Sequence, residues 1–280
     1  MKEMKIIVVL LALAFMFHAC DKVEPPYKLK IDSDKGTKNV LIEDYTGHGC
    51  VNCPGAAIIA HSLQAQSEER IIIMAVHAGY FSRTDVFGSI YTYDFNTEAG
   101  TVWNESYSII GNPKGMVNRV DGGSGVVTVP EKWSKTVVSE LALTANIELS
   151  ITNSFNQASN KLTTTVSGHF ISALNGKYNL VVCLTENNIV KPQKNNDTSI
   201  GGVPDELNYV HQHVLRIGIN DAWGDEIASG DVPTGQDFSK TYTQDFTGHD
   251  WIPKNCHIVA FVYQDSDKSI LQVEEAAVVK

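Results

Sequence analysis

Apolar and polar residues follow two different patterns along the chain, and the pattern changes near residue 145. Before that point, apolar strands alternate with stretches of helical spacing. Val40–Tyr45 and Arg70–His77 are predicted strands, and residues 52–68 between them are a predicted helix, because small and aliphatic residues recur there at helical spacing. The centre of the second strand is apolar without interruption, which is typical of a strand covered on both faces.

The rest of this first part continues the alternation. A loop rich in aromatic residues, Gly79–Asn96, leads to a predicted helix at Glu98–Tyr107 and a predicted strand at Met116–Val120. Residues 130–143 are a last predicted helix, with a proline in the first turn, where proline is favoured. We therefore expect residues 36–144 to form an α/β domain.

After residue 145 the helical spacing disappears, and short runs that alternate apolar and polar residues take its place. Turn residues such as Asn175-Gly176 separate many of these runs. About seven short strands with polar turns are typical of a β-sandwich, so residues 145–280 are predicted to be an all-β, immunoglobulin-like sandwich. The predicted strands are Ile147–Ile151, Leu162–Phe170, Tyr178–Thr185, Tyr209–Ile217, Phe238–Phe246, His257–Tyr263 and Ile270–Val278.

The N-terminal residues predict export and anchoring. A charged start, an apolar run from Ile6 to Phe17 and a small residue before Cys20 are typical of a signal peptide, here residues 1–19. The cysteine after it resembles the bacterial lipoprotein signal, in which cleavage leaves that cysteine as a lipid-bearing N-terminus. An ordinary secretory signal followed by a chance cysteine is the alternative. Residues 20–35 are polar and contain two prolines, so they are predicted to tether a domain to a membrane.

Composition and charge narrow the class of protein. Hydrophobic residues make up 43% of the chain, which is enough to build a globular core. The formal net charge is −10 at pH 7, whereas a nucleic-acid-binding protein needs a basic face. Nucleic acid is therefore not an expected partner.

Two cysteines, Cys50 and Cys53, lie between the first predicted strand and the first predicted helix. This order places the first sulfur where a helix begins, and the helix dipole there favours a thiolate over a thiol. A thiolate beside a second thiol can carry out reversible disulfide exchange. Two alternatives are a permanent disulfide that joins strand to helix, and half of a zinc site, for which the chain lacks a second pair of this spacing.

Two polar residues near this pair are candidates for assisting its chemistry. Asp44 shares a strand face with Val40 and Ile42, so its carboxyl is expected to be buried, to have a raised pKa and to transfer a proton. A strand-end carboxylate in solvent is the alternative. His48, as an imidazolium, would stabilise a thiolate, or it would point from a loop into water.

Two pairs of residues in the second part also have a functional and an ordinary interpretation. His211 and His213 are two residues apart on a predicted strand, so both would face one side, as metal ligands or as a polar strand surface. Cys183 and Cys256 lie on predicted neighbouring strands. They would either form a disulfide or remain buried free thiols.

Acidic and aromatic groups complete the candidate residues. The aromatic side chains of the 79–96 loop would roof the cysteine pair or bind a partner, or they would pack between the two predicted domains. The acidic residues offer oxygen ligands for calcium, but their spacing does not fit an EF-hand loop, so solvated turns are expected. We expect no metal and no organic cofactor. The acidic residues are Asp221, Asp225, Glu226 and Asp231.

The first part of the chain resembles the thioredoxin fold in three features. A Cys-x-x-Cys pair lies at a predicted strand-to-helix turn, and an acidic residue precedes it by six positions. The segment 107–113 is similar to the thioredoxin segment that ends in a cis-proline facing the cysteines. The resemblance implies that Cys50 attacks a substrate and that Cys53 resolves the mixed disulfide.

The same resemblance implies roles for three more residues. Asp44 would accept the proton of Cys53, and Pro113 with the preceding Asn112 would form the wall that faces a substrate. The chain also departs from the thioredoxin pattern. Gly49 stands where thioredoxins have tryptophan, and Lys114 replaces a small hydroxyl residue after the proline. The two residues between the cysteines are Val-Asn instead of Gly-Pro. These departures affect the redox potential and the substrate more than the fold.

The order of features along the whole chain resembles the 28-kDa outer-membrane protein family of Gram-negative bacteria. The features are the lipoprotein signal, the stretch Gly47–Pro54 and the later stretch Tyr209–Arg216. The resemblance covers nearly the whole mature chain. It implies an outer-membrane lipoprotein, anchored through lipid on Cys20, that faces the periplasm or the cell surface.

Two functional hypotheses follow from these patterns. One is an envelope thiol–disulfide oxidoreductase that acts on exported proteins through mixed disulfides with its Cys-x-x-Cys pair. The alternative is an outer-membrane or surface lipoprotein with a structural or binding role, whose disulfide never turns over. Exposure of Cys50 beside an open groove at Pro113 favours the first hypothesis. Cover by the 79–96 loop or by the second part of the chain favours the second.

Overall fold

One mixed eight-stranded sheet runs through both parts of the chain in the computed structural model, which describes residues 36–67 and 69–279. Strands are numbered in chain order. They are β1 Val40–Thr46, β2 Ile71–His77, β3 Lys114–Val117, β4 Ile147–Asn156, β5 Lys161–Phe170, β6 Leu174–Glu186, β7 Ile189–Val190, β8 Gln193–Lys194, β9 Asp205–Glu206, β10 Val210–His211, β11 Val214–Gly218, β12 Asp225–Val232, β13 Asp237–Asp245, β14 Cys256–Gln264 and β15 Ile270–Ala277.

Three α-helices occur among the described residues: α1 Cys53–Ala65, α2 Glu98–Ser106 and α3 Trp133–Leu141. The first has proline in its opening turn, and the second begins where the Thr97 hydroxyl accepts a hydrogen bond from Gly100 N at 3.0 Å. A short 3₁₀ turn at Pro130–Lys132 precedes α3, so the helix predicted from residue 130 begins as a tighter turn.

The large sheet joins the two parts that the sequence pattern separates. Its strand order is β15-β14-β6-β11-β2-β1-β3, and β12 also pairs with β6. The junction is β11, which is parallel to β2 and antiparallel to β6. The described residues belong to one compact unit. The change of pattern near residue 145 therefore does not mark a separation between two sheets.

Apolar side chains fill a layer on each side of this sheet. On β1, Val40 and Ile42 face α1 and α3, while Leu41 and Tyr45 face Trp103 of α2. The continuously apolar strands β1 and β2 are buried along their whole length, as expected for strands covered on both faces.

A second, three-stranded sheet with the order β13-β5-β4 covers one face of β6 and β14. Its inner side chains, such as Leu162 and Phe170, pack against Leu180, Val182 and Ile258. The alternation that predicts a sandwich is thus present in the structure. One of the two packed sheets, however, continues into the first part of the chain.

Two strands differ from the sequence prediction. The predicted strand Tyr209–Ile217 is split into β10 and β11, because His213 adopts φ +54°, outside the strand region. The acidic stretch predicted as solvated turns contains a strand, β12, in which Asp225, Glu226 and Asp231 pair with β6. Asp221 lies just before it, in the turn that Gly224 closes by donating to the Asp221 carbonyl at 2.7 Å.

The disulfide between Cys183 and Cys256 that the sequence leaves open does not form. Both are buried free thiols. Their strands are neighbours, as predicted, but Cys183 stands opposite Val259 and Cys256 stands opposite Glu186. The register therefore separates the two cysteines along the strands.

A buried ion pair joins Glu43 of β1 to Arg119, which follows β3. Arg119 donates two hydrogen bonds to the Glu43 carboxylate, at 2.8 and 2.7 Å, and both side chains have an exposed fraction of 0%. The guanidinium lies 5.0–5.7 Å from the centres of four aromatic rings. The rings belong to Trp103, Tyr107, Trp223 and Phe261.

Candidate functional site

A disulfide joins Cys50 and Cys53 in the turn between β1 and α1, with the two Cα atoms 5.4 Å apart. The sequence predicts a helix start at the first cysteine, but α1 begins at Cys53, with Asn52 as its N-cap residue. The backbone N–H of Cys50 instead donates to the carbonyl of Gly47 at 3.0 Å. The structure therefore places Cys53, and not Cys50, in the first turn of α1.

Both cysteines are buried, each with an exposed fraction of 2%, so the exposure of Cys50 that would favour the oxidoreductase is not found. Part of the cover is the aromatic 79–96 loop. Gly49 N donates to the Phe81 carbonyl at 2.9 Å, and a methyl group on Gly49 would overlap the Phe87 ring. Glycine at this position permits the close approach of the aromatic ring to the cysteine turn.

The rest of the cover comes from residues 187–213, which we call the cap. The side-chain amide of Gln193 donates to the carbonyls of Cys50 and Gly47 at 2.9 and 3.2 Å. The backbone N–H of Lys194 donates to the His48 carbonyl at 2.8 Å. Two elements from distant parts of the chain therefore bind the same short turn, and the disulfide lies beneath them.

Asp44 occupies the position expected of a buried acid. It is 3% exposed on β1, and burial raises the pKa of its carboxyl to about 7. Asp44 and Cys53 both line a cavity of about 40 Å³ between β1, α1 and the cap. A cavity of this size has room for about three water molecules. The prediction of a buried carboxyl near the pair is confirmed, and the solvent alternative is wrong.

Three histidines surround Phe95 beside this cavity, and we call them the histidine cluster: His48, His77 and His211. Their ring centres lie 6.2, 4.3 and 4.7 Å from that of Phe95. Each histidine is buried, which favours a neutral imidazole and lowers its pKa. The expectation that His48 points into water is therefore wrong, since it is 1% exposed and its Nε2 lies 3.0 Å from the Arg83 carbonyl oxygen.

The paired histidines of the second part of the chain do not form one strand face. His211 ends β10 and is buried in the cluster, while His213 has left-handed backbone and packs near His61, with ring centres 5.1 Å apart. Neither the metal site nor the polar strand surface is present at this position. The described residues contain no group of three or more His, Cys, Asp or Glu side chains that could hold a metal ion.

The predicted cis-proline is present. The Asn112–Pro113 peptide bond is cis, and Pro113 directly precedes β3. In β3, Lys114 pairs with Tyr45 and Gly115 with Asp44. The proline therefore lies at the same end of the sheet as the turn that carries the disulfide. Neighbouring Ile110 is 87% exposed, so the loop before the proline is open to solvent.

Two groups that shape this site have no signal in the sequence. Gln193 is one of several polar residues in a row between predicted strands, and His77 is the last residue of a mostly apolar run. Neither position has a local pattern that indicates its partner. The available signal for a cover was the aromatic loop. Its predicted packing between the two parts of the chain is confirmed by Tyr91, whose hydroxyl donates to Asp205 at 2.5 Å.

The fold and the site together define a mostly-β protein with a few helices and a covered Cys-x-x-Cys disulfide. The chain belongs to the family described as outer membrane protein Omp28, whose family model matches residues 101–280. The resemblance to the 28-kDa outer-membrane protein family is thereby confirmed, and the protein is located at the cell outer membrane. The predicted signal peptide, the lipid site Cys20 and the tether lie outside the described residues.

Two solved structures are similar to this chain. HBP35 of Porphyromonas gingivalis has a TM-score of 0.63 at 19% sequence identity, over 88% of this chain and 76% of that chain. This likeness supports the fold alone. A domain of the outer membrane lipoprotein Omp28 from Porphyromonas gingivalis has a TM-score of 0.31 at 22% identity, over 48% of this chain and 88% of that chain. Comparison with curated proteins gives no match.

Helices long and apolar enough to cross a membrane do not occur within the described part of the chain.

Proposed function

We propose that this chain is a structural or binding lipoprotein of the outer membrane, and that its Cys50–Cys53 disulfide is a permanent covalent staple. The observation that carries the proposal is the cover over that bond. Each cysteine is 2% exposed beneath the aromatic loop and the cap. Thiol–disulfide exchange requires a thiolate to reach a sulfur atom, so its rate depends on this access.

A staple has a physical role at this turn. Residues 47–53 connect β1 to α1 and are held from two sides by distant hydrogen-bond partners. Closing a loop of four residues with a disulfide removes freedom from the unfolded chain and contributes about 2 kcal/mol in the chain-entropy model. The turn is thereby fixed in the shape that the aromatic loop and the cap require.

We also propose the two structural units and the lipid anchor that the sequence predicts. The order β1–α1–β2 and the cis-proline before β3 support a thioredoxin-like unit, and the two packed sheets support an immunoglobulin-like sandwich as its partner. Cleavage after residue 19, a lipid on Cys20 and a tether over residues 20–35 would attach this body to the membrane.

A second candidate function is thiol–disulfide exchange with envelope proteins. Asp44 favours it, because a carboxyl with a pKa of about 7 beside Cys53 is suited to accept the proton of that thiol when the disulfide is reduced. The cis-proline at residue 113 is consistent with the same interpretation. This function requires a state in which the cover over Cys50 is removed.

Trapping of mixed disulfides separates the two candidates. In the full-length Cys53→Ser variant, expressed in its own cell envelope, any partner attacked by Cys50 stays covalently attached. We expect no adduct above that of the Cys50→Ser/Cys53→Ser control on non-reducing gels. Adducts that form with Cys53→Ser and are missing from the double variant would replace the staple with the oxidoreductase.

A further inference from the structure

The cap joins the main sheet at its two ends along the chain, and at the second end His213 also accepts a hydrogen bond from Ala75 N of β2 at 2.9 Å. It leaves β6 after Glu186 and returns at β11, and within it β7 pairs with β10 and β8 pairs with β9. Its own strands make these local pairs rather than joining the large sheet. Residues 187–212 of the cap can therefore move away from the cysteine turn without breaking a pair of the large sheet, while His213 stays bonded to β2.

The contact between the cap and the rest of the protein is polar at the disulfide and aromatic beside it. Gln193 and Lys194 bind the backbone of the cysteine turn, and Asn196 donates to the Asn52 side chain at 2.6 Å. Next to these bonds lies the histidine cluster. His48 belongs to the cysteine turn, His77 to the end of β2 and His211 to the cap.

The three imidazoles are packed around one phenyl ring. The ring centre of His77 is 5.5 Å from that of His211; the His77 ring stacks on Phe95, and the His211 ring is tilted against it. In the described structure, His77 Nδ1 and His211 Nε2 are buried without a hydrogen-bond partner, as is Asp44 Oδ1 at the same cavity. A proton on either imidazole would place a charge at the interface between cap and sheet.

The charged and titratable neighbours of the cluster are few. The positive charge of Arg216 on β11 lowers the pKa of His77, and the negative charge of Asp94 raises the pKa of His48. The other titratable groups that line the cavity are Asp44 of β1, His61 of α1 and Tyr209 of the cap. His213, at the end of the cap, faces His61.

The two lysines of the cap do not offset charge on the cluster. Lys191 lies over the Tyr93 ring at 4.3 Å, and Lys194 lies over the Tyr91 ring and pairs with Asp205. Both are cations, so they oppose further positive charge nearby.

We propose that the cap is an acid-released cover: protons that enter the histidine cluster free residues 187–212 from the cysteine turn and expose the Cys50–Cys53 disulfide. The device goes beyond a staple, because it makes access to the bond depend on the pH outside the protein. It does not require that the bond be redox-active.

Proton linkage determines that acid opens the cap rather than closing it. Burial lowers the pKa of His77 well below 6.5 and that of His211 to about 3, and it also lowers the pKa of His48. An open form would bind these protons near pH 6.5, whereas the closed form does not. Below that pH the ratio of open to closed protein therefore rises, by up to about tenfold per pH unit for each histidine that becomes accessible.

Asp44 acts in the opposite direction. Its pKa in the closed form is about 7, above the ordinary value of 3.8, so the closed form holds a proton that the open form releases between these values. This carboxyl offsets the effect of about one histidine, and the other two determine the sign. His213, whose pKa burial lowers to about 4, adds to their effect.

Access to the disulfide is measured by its rate of reduction with a phosphine, relative to a short Cys-x-x-Cys peptide disulfide at the same pH. For the full-length protein we expect this relative rate to rise at least about tenfold from pH 7.5 to pH 4.5, while near-ultraviolet circular dichroism stays native. Hydrogen exchange, corrected for intrinsic rates, should increase in the cap and not in β6 or β14.

His211→Phe is the informative variant, since phenylalanine fills the site without accepting a proton. We expect its relative rate to rise clearly less from pH 7.5 to pH 4.5 than that of the wild type, because the open form takes up one proton fewer, whereas His48 and His77 keep part of the response. If this variant does not fold, His77→Asn is used in its place. His169→Gln is the matched control, because His169 lies on the exposed face of β5, and it should keep the full acid response.

Three results would overturn the acid-released cover. They are an equal relative rate at both pH values in the wild type, an acid response that persists unchanged in both His211→Phe and His77→Asn, and loss of the near-ultraviolet signal before the rate rises. The last would mean that acid unfolds the whole protein. Mixed-disulfide trapping at neutral pH tests the staple separately.

Discussion

At the scale of single residues, burial around the disulfide decides what the site can do. The sequence predicts the identity of most groups there but not their cover. Asp44 was predicted to be buried from its apolar neighbours on the strand, and it is. His48 and His211 have no such pattern, since His48 lies between two glycines and His211 between Val210 and Gln212. Their burial depends on an aromatic loop and a cap that pack from distant positions.

The Asp44 carboxyl predicts a pH dependence of stability. The unfolded chain releases this proton near pH 3.8, whereas the folded protein keeps it to about pH 7, so stability falls as the pH rises between these values. Asp44→Asn should therefore leave stability near pH 4 little changed and raise it above pH 7 by up to about 4 kcal/mol. Urea unfolding across this range measures the difference. Equal effects at both ends would contradict the assignment.

Gly49 predicts a steric cost. A methyl group at this position would overlap the Phe87 ring, so Gly49→Ala should destabilise the protein by about 1–3 kcal/mol. Gly55→Ala is the control, because a methyl group there meets no atom within 4 Å and alanine favours helix α1. Chemical unfolding of both variants measures their free energies of unfolding relative to the wild type. A neutral Gly49→Ala would mean that the aromatic cover is loose.

At the scale of elements, strongly periodic segments were predictable and irregular ones were not. The continuous apolar run of β2 has the expected position within one residue. Strand β12 was missed because its sequence is acidic and contains glycine, and it pairs with β6 through a register shift. The break between β10 and β11 depends on the left-handed backbone conformation of His213, which few non-glycine residues adopt.

The pair Glu43–Arg119 links β1 to the turn after β3, and it predicts a large effect of breaking one side. Arg119→Met should cost about 3–5 kcal/mol, because it leaves a buried carboxylate without a partner. Adding Glu43→Gln should recover much of that loss, and chemical unfolding of the single and double variants measures the coupling. The exposed pair Arg83–Asp85 is the control, where Arg83→Ala should change little.

At the scale of the whole molecule, the important feature is the order of strands in the large sheet. Local patterns identify the strands, but they do not encode which distant strands pair. The place of β11 between β6 and β2 depends on the packing of both faces of the sheet. For this reason the sequence predicts two parts, whereas the structure joins them by one hydrogen-bonded sheet.

Strand order predicts the behaviour of fragments. Residues 36–144 alone would lack β11, leaving an edge of β2 unpaired, and residues 145–279 alone would lack the strands that β11 joins. Neither fragment should give the dispersed NMR spectrum of a folded domain, whereas a mixture of the two should recover it in part. Independent folding of both fragments would show that the shared sheet adds little stability.

The central claim is that the Cys50–Cys53 bond is covered and does not turn over at neutral pH. A redox titration of the full-length protein at about pH 7.5, with alkylation of free thiols at each potential, tests it most directly. We expect the bond to stay oxidised down to about −300 mV and to be reduced together with loss of native structure. Reversible reduction between about −270 and −180 mV, with the fold intact, would contradict it and favour an oxidoreductase.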